Sequence, residues 1–390
     1  MCSYRCRKAP YTIHQHTMKI AISGDGLNVF TSGFPARGML KYLVDLRAND
    51  QFVIFYTRQC DNPLLQQYFN DLHSRNNVQP IYLKKSKLNI MWNRFNGRAN
   101  YIPLDNFDLF FNPAFLEYHS KFKCPQIAIV QDLSIIKGQS TLSYPWLRKI
   151  ADKHSKKRVF AQPDIQIKAV SAFTQKDVFN TFTNIKADIK VIHNGIDDFW
   201  FQNSDVELPE LAKQHPYFIW WGLISRRKNI ARLIRIITEM REQNHTIPRL
   251  ILVGRIASHE KEEISALIEN NQHVSLIPFQ PNEIIRQLVK NSVGLIFPSH
   301  HEGFGLPVVE AFSQGTPVAC SNNTSLPEVA NGLGILFNEN DNDDIKAAIL
   351  SLINYNYENS SKLIDYARTF TYENRATLFS DAINSLTERT

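Results

Sequence analysis

The 390-residue sequence is poor in cysteine and has no long apolar run. Its five cysteines are scattered and odd in number, which favours a reducing compartment over a disulfide framework. No stretch of about 18 apolar residues is present, so the sequence predicts no transmembrane helix. The N-terminus also lacks the apolar segment of a secretory signal. We therefore expect a cytoplasmic protein.

Several ligand-binding motifs are also missing. There is no Gly-x-Gly-x-x-Gly fingerprint and no Gly-Lys-Ser/Thr phosphate loop, which argues against dinucleotide oxidoreductases and P-loop NTPases. The cysteines and histidines within residues 1–17 match no standard zinc spacing. We predict that this segment is a disordered leader and that the fold starts with the strand that opens at Met18. No metal site is predicted.

The charge of the chain is positive, with a formal net charge of +7. This balance permits anionic partners but does not select one. The basic residues include a local cluster on a predicted helix over 144–158, in which Trp146 and Ile150 are apolar positions. The cluster comprises Arg148, Lys149, Lys153, Lys156, Lys157 and Arg158. Two interpretations stay open, a solvated helix face and a peripheral contact with anionic membrane on the inner face. Aromatic residues do not interleave with these charges, so no nucleic-acid partner is expected.

Short, near-continuous apolar runs alternate with helical patterns along the whole chain. Buried parallel strands have this pattern, because helices cover both faces of their sheet. The pattern stops in a polar linker over 202–216 and then restarts. We predict an α/β protein with two Rossmann-like, doubly wound domains that face each other across a cleft. The predicted domains are 18–200 and 201–370, and a C-terminal helix in 371–390 could cross back to the first domain.

The strongest motif follows a predicted strand at 293–297 and runs from Pro298 to Glu310. Its sequence is Pro-Ser-His-His-Glu-Gly-Phe-Gly-Leu-Pro-Val-Val-Glu. Gly303 and Gly305 allow the backbone to approach a ligand closely, and the N-terminus of the helix that follows can bind a phosphate. Carboxylates accept hydrogen bonds from hydroxyl groups. Two acidic residues beside a phosphate site therefore indicate a ligand that carries both phosphates and sugars.

This stretch resembles the Glu-x7-Glu motif of retaining glycosyltransferases of family four, which have the GT-B fold. Four other segments resemble the family in the same order, namely Val170–Asp177, Val191–Asp197, Ser325–Val329 and Gly334–Phe337. The similarity covers about residues 18–388 and is stronger in the second half. It implies transfer of a hexose from a nucleotide diphosphate sugar, with retention of configuration and without a metal or other cofactor.

A second motif, Gly222 to Asn229, follows the strand at 217–221 and contains Arg227 and Lys228. Fixed cations at such a place stabilise the charge that develops on a leaving diphosphate. The segment resembles the Arg-Lys-Asn element of the family, in which these two residues contact the donor phosphates. Many members carry a further arginine where this chain has Leu223, and Arg226 could replace it.

A third motif, Gln131-Asp132, follows a strand of the first half. The family usually has His-Asp here, and a glutamine cannot transfer a proton near neutral pH. Asp132 is either a polar contact for the sugar or a helix N-cap. The loop from Gly24 to Gly33 resembles the family loop that passes the donor phosphates, with Gly33 as the best match.

The resemblance therefore implies two groups of site residues. The catalytic group is Glu302, Arg227, Lys228, Asp132 and Gln131. The donor-binding group is Gly33, Gly222, Arg255, Phe279, Gly303, Phe304, Gly305, Leu306 and Glu310. Glu302 would orient the donor sugar, Glu310 would bind ribose, and the loops at Arg255 and Phe279 would contact the base.

The favoured donor is GDP-mannose, and the acceptor is expected to be a glycan or a lipid-linked sugar, as in polysaccharide biosynthesis. The alternative is a catalytically weakened nucleotide-sugar-binding or scaffold protein of the same fold. Gln131 and Leu223 suggest this alternative, because both depart from the residues that are usual in the family. A phosphorylase is not expected, because no pyridoxal lysine site is evident.

Overall fold

A computed structural model describes residues 17–27, 34–56, 60, 62–82, 106–114, 124–138, 146–202, 206–213 and 216–387. In these residues, the first half of the chain forms a seven-stranded parallel sheet with the order β3-β2-β1-β4-β5-β6-β7. Its strands are β1 (Lys19–Ser23), β2 (Gln51–Tyr56), β3 (Val78–Tyr82), β4 (Leu109–Asn112), β5 (Gln126–Val130), β6 (Ile165–Ala169) and β7 (Asp188–Val191).

The second half forms a six-stranded parallel sheet with the order β10-β9-β8-β11-β12-β13. Its strands are β8 (Tyr217–Ile224), β9 (Arg249–Ile256), β10 (Val274–Ile277), β11 (Gly294–Phe297), β12 (Val318–Ser321) and β13 (Ile335–Phe337). The strand order reverses between β1 and β4 in the first sheet and between β8 and β11 in the second. Ligands of doubly wound folds bind beyond the carboxyl ends of the strands at such a reversal.

Helices pack on the sheets. Those of the first half are α1 (Phe34–Leu46), α2 (Pro63–His73), α3 (Ser134–Lys137), α4 (Trp146–Phe160) and α5 (Ala172–Thr181). Those that follow are α6 (Glu210–Lys213), α7 (Ile230–Gln243), α8 (Lys261–Ile268), α9 (Asn282–Lys290), α10 (Leu306–Ser313), α11 (Leu326–Ala330), α12 (Asn342–Ile353), α13 (Ser360–Ala367) and α14 (Tyr372–Thr387). Five inner strands, β4, β5, β6, β11 and β12, are buried along their whole length, as the apolar runs predicted. The predicted α/β fold class, with two Rossmann-like doubly wound halves, is confirmed.

The structure differs from the sequence-based expectation in the connecting segments. A 3₁₀ turn at Asp198–Phe201 precedes the predicted linker, and the short helix α6 lies within the linker. The turn starts at Asp197, whose Oδ1 accepts a hydrogen bond from the amide of Phe199 at 2.9 Å, and Trp200 is buried. An aspartate cap and one large apolar side chain therefore order the segment that leads into the predicted linker.

The end of the chain forms two helices, α13 and α14, which are separated near Thr371. The second of them lies within the segment 371–390, where a C-terminal helix was predicted. The amide of Ile196 donates to the carbonyl of Phe370 at 2.7 Å, and the amide of Tyr372 donates to the carbonyl of Ile196 at 3.1 Å. These bonds hold the chain segment that leaves the first half against the segment that returns to it.

The last helix, α14, packs on α1 of the first half. A Cβ atom on Gly38 would lie 2.0 Å from Cε2 of Tyr372, so only glycine allows this close packing. At the other end, Arg47 donates to Asn384 Oδ1 at 2.7 Å. The domain limits given above stay a prediction. None of the described helices is both long and apolar enough to cross a membrane.

Candidate functional site

The candidate site lies at the carboxyl ends of β8 and β11, the two strands at which the order of the second sheet reverses. A 3₁₀ turn at Arg226–Lys228 follows β8, and the loop 298–305 follows β11. The amide of His300 donates to the carbonyl of Arg227 at 2.8 Å. The two motifs that the sequence analysis treated separately therefore form one structure.

A buried ion cluster occupies this position. The Glu302 carboxylate, which is 7% exposed, accepts hydrogen bonds from Lys228 Nζ at 2.5 Å and from Arg227 Nη1 at 3.1 Å. Arg227 also donates to the carbonyl of His301, and Lys228 Nζ lies 5.1 Å from the centre of the Phe297 ring. Sequence reasoning assigned these three charged residues to the site but did not predict that they pair with one another.

The cluster stays ionised at neutral pH. Burial alone would raise the pKa of Glu302, but the charges of Arg227 and Lys228 outweigh it and lower this pKa to about 2. Burial lowers the pKa of Lys228 to about 8, although Glu302 acts in the opposite direction. Two cations and one carboxylate leave one positive charge in excess, so the cluster can attract a further anion.

The second carboxylate of the motif has a different environment. Glu310 is 7% exposed on α10 and accepts a hydrogen bond from Trp221 Nε1 at 3.1 Å. Burial raises its pKa to about 7, against the opposite effect of the Trp221 hydrogen bond. Near neutral pH this group can therefore both donate and accept hydrogen bonds.

Glycines bring the backbone into close contact at the site. Gly305 has a φ of 102° just before α10. A Cβ atom on Gly303 would lie 2.1 Å from the carbonyl oxygen of Gln131, so the loop of the second half touches the first half at this residue. Phe304 is buried beside it and Leu306 starts the helix. Gly303 therefore joins the two halves, a role that the sequence analysis did not predict for it.

A second pair of glycines lies near the ends of β8 and β9. Gly222 and Gly254 are register partners, with φ values of 136° and 142°. A Cβ atom on Gly254 would lie 2.0 Å from the carbonyl oxygen of Gly222. These two paired positions therefore carry no side chains, two residues before the ends of β8 and β9.

The first-half residues form their own contacts at the cleft. Gln131 Oε1 accepts a hydrogen bond from Asn194 Nδ2 at 2.9 Å. Asp132 Oδ1 accepts hydrogen bonds from the amide and the hydroxyl of Ser134, at 2.9 Å and 2.6 Å. These bonds join Asp132 to the first residue of α3, but the N-cap residue of that helix is Leu133, so neither of the two predicted roles of Asp132 is confirmed. Asn194 was not among the predicted site residues, although it lies in the segment Val191–Asp197, which resembles the family.

Several buried polar atoms around the site have no hydrogen-bond partner in the described structure. They are Gln131 Nε2, Asn194 Oδ1, Ser225 Oγ, Arg227 Nε and His301 Nε2. Buried polar groups are nearly always bonded in folded proteins. His301 is 2% exposed, and burial lowers its pKa, so its ring is neutral at pH 7. A group of such atoms at one place indicates a site for a polar ligand.

Sequence reasoning missed the residues that join the two halves. The Glu328 carboxylate of α11 accepts hydrogen bonds from the amides of Ala172 at 2.8 Å and Phe173 at 3.2 Å, at the start of α5. It also pairs with His193 Nε2 at 2.7 Å. Ser171 Oγ donates to the carbonyl of Gly303 at 2.7 Å. The segments Val170–Asp177 and Ser325–Val329 could have indicated this contact, because both resemble the family. The sequence analysis used them only for the resemblance and predicted no contact between them.

The remaining predicted residues lie at the edge of the site. Arg255 and Phe279 are exposed on the segments at the ends of β9 and β10. The Arg226 side chain is 83% exposed, and its Nε lies 3.6 Å from Glu260. Gly33 lies outside the described residues. No group of three or more His, Cys, Asp or Glu side chains that could hold a metal ion occurs in the described parts of the chain.

The second half, including most of this site, matches a known family. Residues 202–370 match the family model of glycosyl transferases group 1. This segment is therefore similar to the group 1 glycosyl transferases. It contains the Glu302 cluster and Glu310, whereas Gln131 and Asp132 precede it.

Two mannosyltransferases of Escherichia coli are similar to about half of this chain. O-antigen chain mannosyltransferase B is 30% identical over 223 residues, which are 54% of this chain and 58% of that protein. Serotype-specific mannosyltransferase WbdA is 25% identical over 208 residues, which are 52% of this chain and 25% of that protein. The matched segment thus spans little more than half of the first relative and a quarter of the second.

Solved structures extend the likeness to both halves. The Anabaena protein Alr3699/HepE, in its crystal structure with UDP-glucose, has a TM-score of 0.69 at 16% identity. The match covers 94% of this chain and 100% of that chain. It shows that the two halves together have the two-domain GT-B fold.

Proposed function

We propose that the protein is a retaining hexosyltransferase of family four, which moves a hexose from a nucleotide diphosphate sugar to a glycan or lipid-linked acceptor. The buried cluster of Glu302, Arg227 and Lys228 carries this proposal. It places an excess positive charge at the strand reversal of a group 1 glycosyltransferase domain, where a ligand phosphate is expected.

In the proposed reaction, Arg227 and Lys228 bind the diphosphate of the donor. Glu302 holds both cations in place before the donor arrives, so little reorganisation is needed as charge develops on the leaving group. The Gly303–Gly305 backbone and the N-terminus of α10 provide further dipoles for the same oxygens. No metal ion is required in this scheme, because the protein itself supplies the positive charge.

We further propose that the donor is GDP-mannose. The mannosyltransferase relatives support the choice of sugar. Glu310 would bind the ribose hydroxyls, since its raised pKa and its bond to Trp221 leave it able to donate and accept. The base would lie between the exposed residues Arg255 and Phe279.

Helix α4 supports a place for the enzyme on the cytoplasmic face of a membrane that carries lipid-linked acceptors. Trp146 and Ile150 are 67% and 57% exposed, and Lys153 and Lys157 are exposed on the same stripe of the helix. We expect the protein to sediment with phosphatidylcholine vesicles only when they contain phosphatidylserine. Changing both lysines to glutamate should abolish this binding, and unchanged sedimentation would contradict the proposal.

A binding protein without turnover is the second candidate. Gln131 stands where a histidine is usual in the family that the chain resembles, and its side chain is already bonded to Asn194. It therefore contributes no proton transfer. Such a protein would bind a nucleotide sugar at the same cations but would not break the glycosidic bond.

Donor hydrolysis tests both candidates. We would incubate the protein with GDP-, UDP-, TDP- and ADP-sugars in EDTA, without acceptor, and measure thermal shift and nucleotide release. We expect GDP-mannose to stabilise the protein and to be hydrolysed slowly. Lys228→Ala should lower the release rate by about 10²–10³-fold. Lys346→Ala, at a lysine of α12 that pairs with Glu239, is the matched control.

The outcomes separate the candidates. A thermal shift without nucleotide release, and without transfer to any mannoside acceptor, would support the binding protein. No shift with any of the four nucleotide sugars would contradict both candidates.

A further inference from the structure

A second concave site lies in the first half, at the carboxyl ends of β2 and β3. It is a cavity of about 250 Å³ between these strand ends and α2. Its lining comprises Tyr56, Cys60, Gln66, Phe69, Asn70, His73 and Tyr82. None of these described residues belongs to the candidate donor site.

An aromatic platform forms one wall of the cavity. Tyr56 and Tyr82 are the last residues of β2 and β3 and are partners in the sheet register. Their rings stack with centroids 5.2 Å apart and an interplanar angle of 22°. Tyr56 is 2% exposed whereas Tyr82 is 49% exposed, so the outer ring presents a supported aromatic surface to solvent.

The opposite wall is polar. Gln66, Asn70 and His73 recur at helical spacing and therefore lie on one face of α2. Gln66 and Asn70 are exposed, so their amide groups can donate and accept hydrogen bonds. His73 Nε2 lies 3.0 Å from the Tyr56 hydroxyl. Burial lowers the pKa of His73, which keeps the ring neutral at pH 7.

The chemistry of this lining suits a neutral, hydroxyl-rich ligand. Among the residues that the structure describes, the lining includes aromatic and amide side chains but no lysine, arginine, aspartate or glutamate. A flat aromatic face beside amide groups suits a pyranose ring, which has an apolar face of C–H groups and a rim of hydroxyls.

The cavity lies at the same edge of the first sheet as the reversal between β1 and β4, because the carboxyl ends of parallel strands share one edge. A Cβ atom on Gly24 would lie 2.4 Å from Cε1 of Tyr56, so the ring packs directly on the backbone that follows β1. The strand β1 lies beside the reversal of the first sheet. A ligand in the cavity would therefore lie at the cleft edge of the first half, two strands away from that reversal.

We propose that this cavity is a subsite for one sugar ring of the acceptor glycan, remote from the hydroxyl that reacts. This inference rests on the proposed function as a glycosyltransferase. It predicts that the protein distinguishes acceptors by length, because only a chain long enough to reach from the cleft to Tyr82 gains the additional contact.

Direct binding tests the subsite without any donor. We would record saturation-transfer NMR spectra of methyl α-mannoside, α-mannobiose and α-mannotriose with the full-length protein. We expect Tyr82→Ala to weaken the signals of α-mannotriose relative to those of methyl α-mannoside, and Tyr82→Phe to keep the wild-type ratio. Phe179→Ala is the matched control, because Phe179 is an equally exposed aromatic residue on α5 of the same half. An unchanged ratio in Tyr82→Ala would overturn the proposal.

Kinetics provide the second arm. Tyr82→Ala should raise the KM of the longest acceptor by about three- to tenfold, with kcat and acceptor-free donor hydrolysis unchanged. Asn70→Ala, on the exposed face of α2, should act in the same direction and guards against misfolding of the first variant. An equal rise in KM for acceptors of every length would overturn the subsite. Absence of donor hydrolysis in the wild-type protein would instead contradict the proposed function and leave the NMR result to decide the subsite.

Discussion

Glu302 and Glu310 are both buried, but their surroundings shift their pKa values in opposite directions. The two cations beside Glu302 outweigh burial and lower its pKa to about 2, whereas burial raises the pKa of Glu310 to about 7. The motif therefore supplies one permanent anion, which fixes two cations, and one group that can change its charge near neutral pH. Different tasks for two similar residues follow from their partners.

The raised pKa of Glu310 predicts a pH-dependent stability. A carboxyl group that holds its proton more tightly in the folded state stabilises that state most below its unfolded pKa. The contribution is lost as the pH rises to about 7. The full loss is about 3 kcal/mol. We expect Glu310→Gln to gain stability relative to wild type between about pH 5 and pH 8, as measured by urea unfolding.

The stability contribution of Glu302 is expected to depend on pH in the opposite direction. The contribution of Glu302 should be present at neutral pH and be lost only as the pH falls from its unfolded value towards about 2. Glu310→Gln should leave this loss of stability at acidic pH unchanged. A constant stability difference between Glu310→Gln and wild type across the neutral range would contradict the assignment.

At the scale of elements, the start of α5 depends on the other half of the molecule. Its first amides donate to the Glu328 carboxylate of α11, while Ser171 and Thr174 donate to the Gly303 carbonyl at 2.7 Å and 3.1 Å. A carboxylate at a helix N-terminus satisfies free amides and interacts favourably with the helix dipole. The cap of α5 is thus also a contact between the halves.

We expect Glu328→Ala to expose the amides of Ala172 and Phe173 and to cost about 1–2 kcal/mol of stability. Hydrogen exchange at the two amides is the measurement. His193→Ala should leave both amides protected, because it removes only the imidazole partner of Glu328. Glu262→Ala, at an exposed position of α8, is the surface control. Unchanged exchange in Glu328→Ala would show that the cap is not important.

This element also shows what the sequence could and could not provide. Apolar runs predicted the strands, and the spacing of Gly303, Gly305 and Glu310 predicted a ligand loop before a helix. The partners of Glu302 and Glu328 were not predictable, because local periodicity contains no information about contacts between distant segments. Asp197 was likewise missed, since a cap inside a polar stretch looks like any other polar residue.

At the scale of the whole molecule, α14 joins the end of the chain to the first half. Its packing on α1 requires the absence of a side chain at Gly38, beside Tyr372. Overpacking of this kind typically costs about 1–3 kcal/mol. We expect Gly38→Ala to lower the stability despite the better helix propensity of alanine, and to speed hydrogen exchange throughout α14. Lys41→Ala, at an exposed position of α1, should do neither. Slower exchange in Gly38→Ala would contradict this account.

The pairing of Ile196 with Phe370 and Tyr372 also has a mechanical consequence. The outgoing and returning segments lie side by side, so they can act together as the pivot between the two sheets. Residues near this pivot would move little if the cleft opened. Residues at the rim of the cleft, far from the pivot, would move furthest, because displacement in a rotation grows with distance from the axis. A spin-label pair at the rim should therefore report opening with high sensitivity, and a pair beside Ile196 should hardly respond.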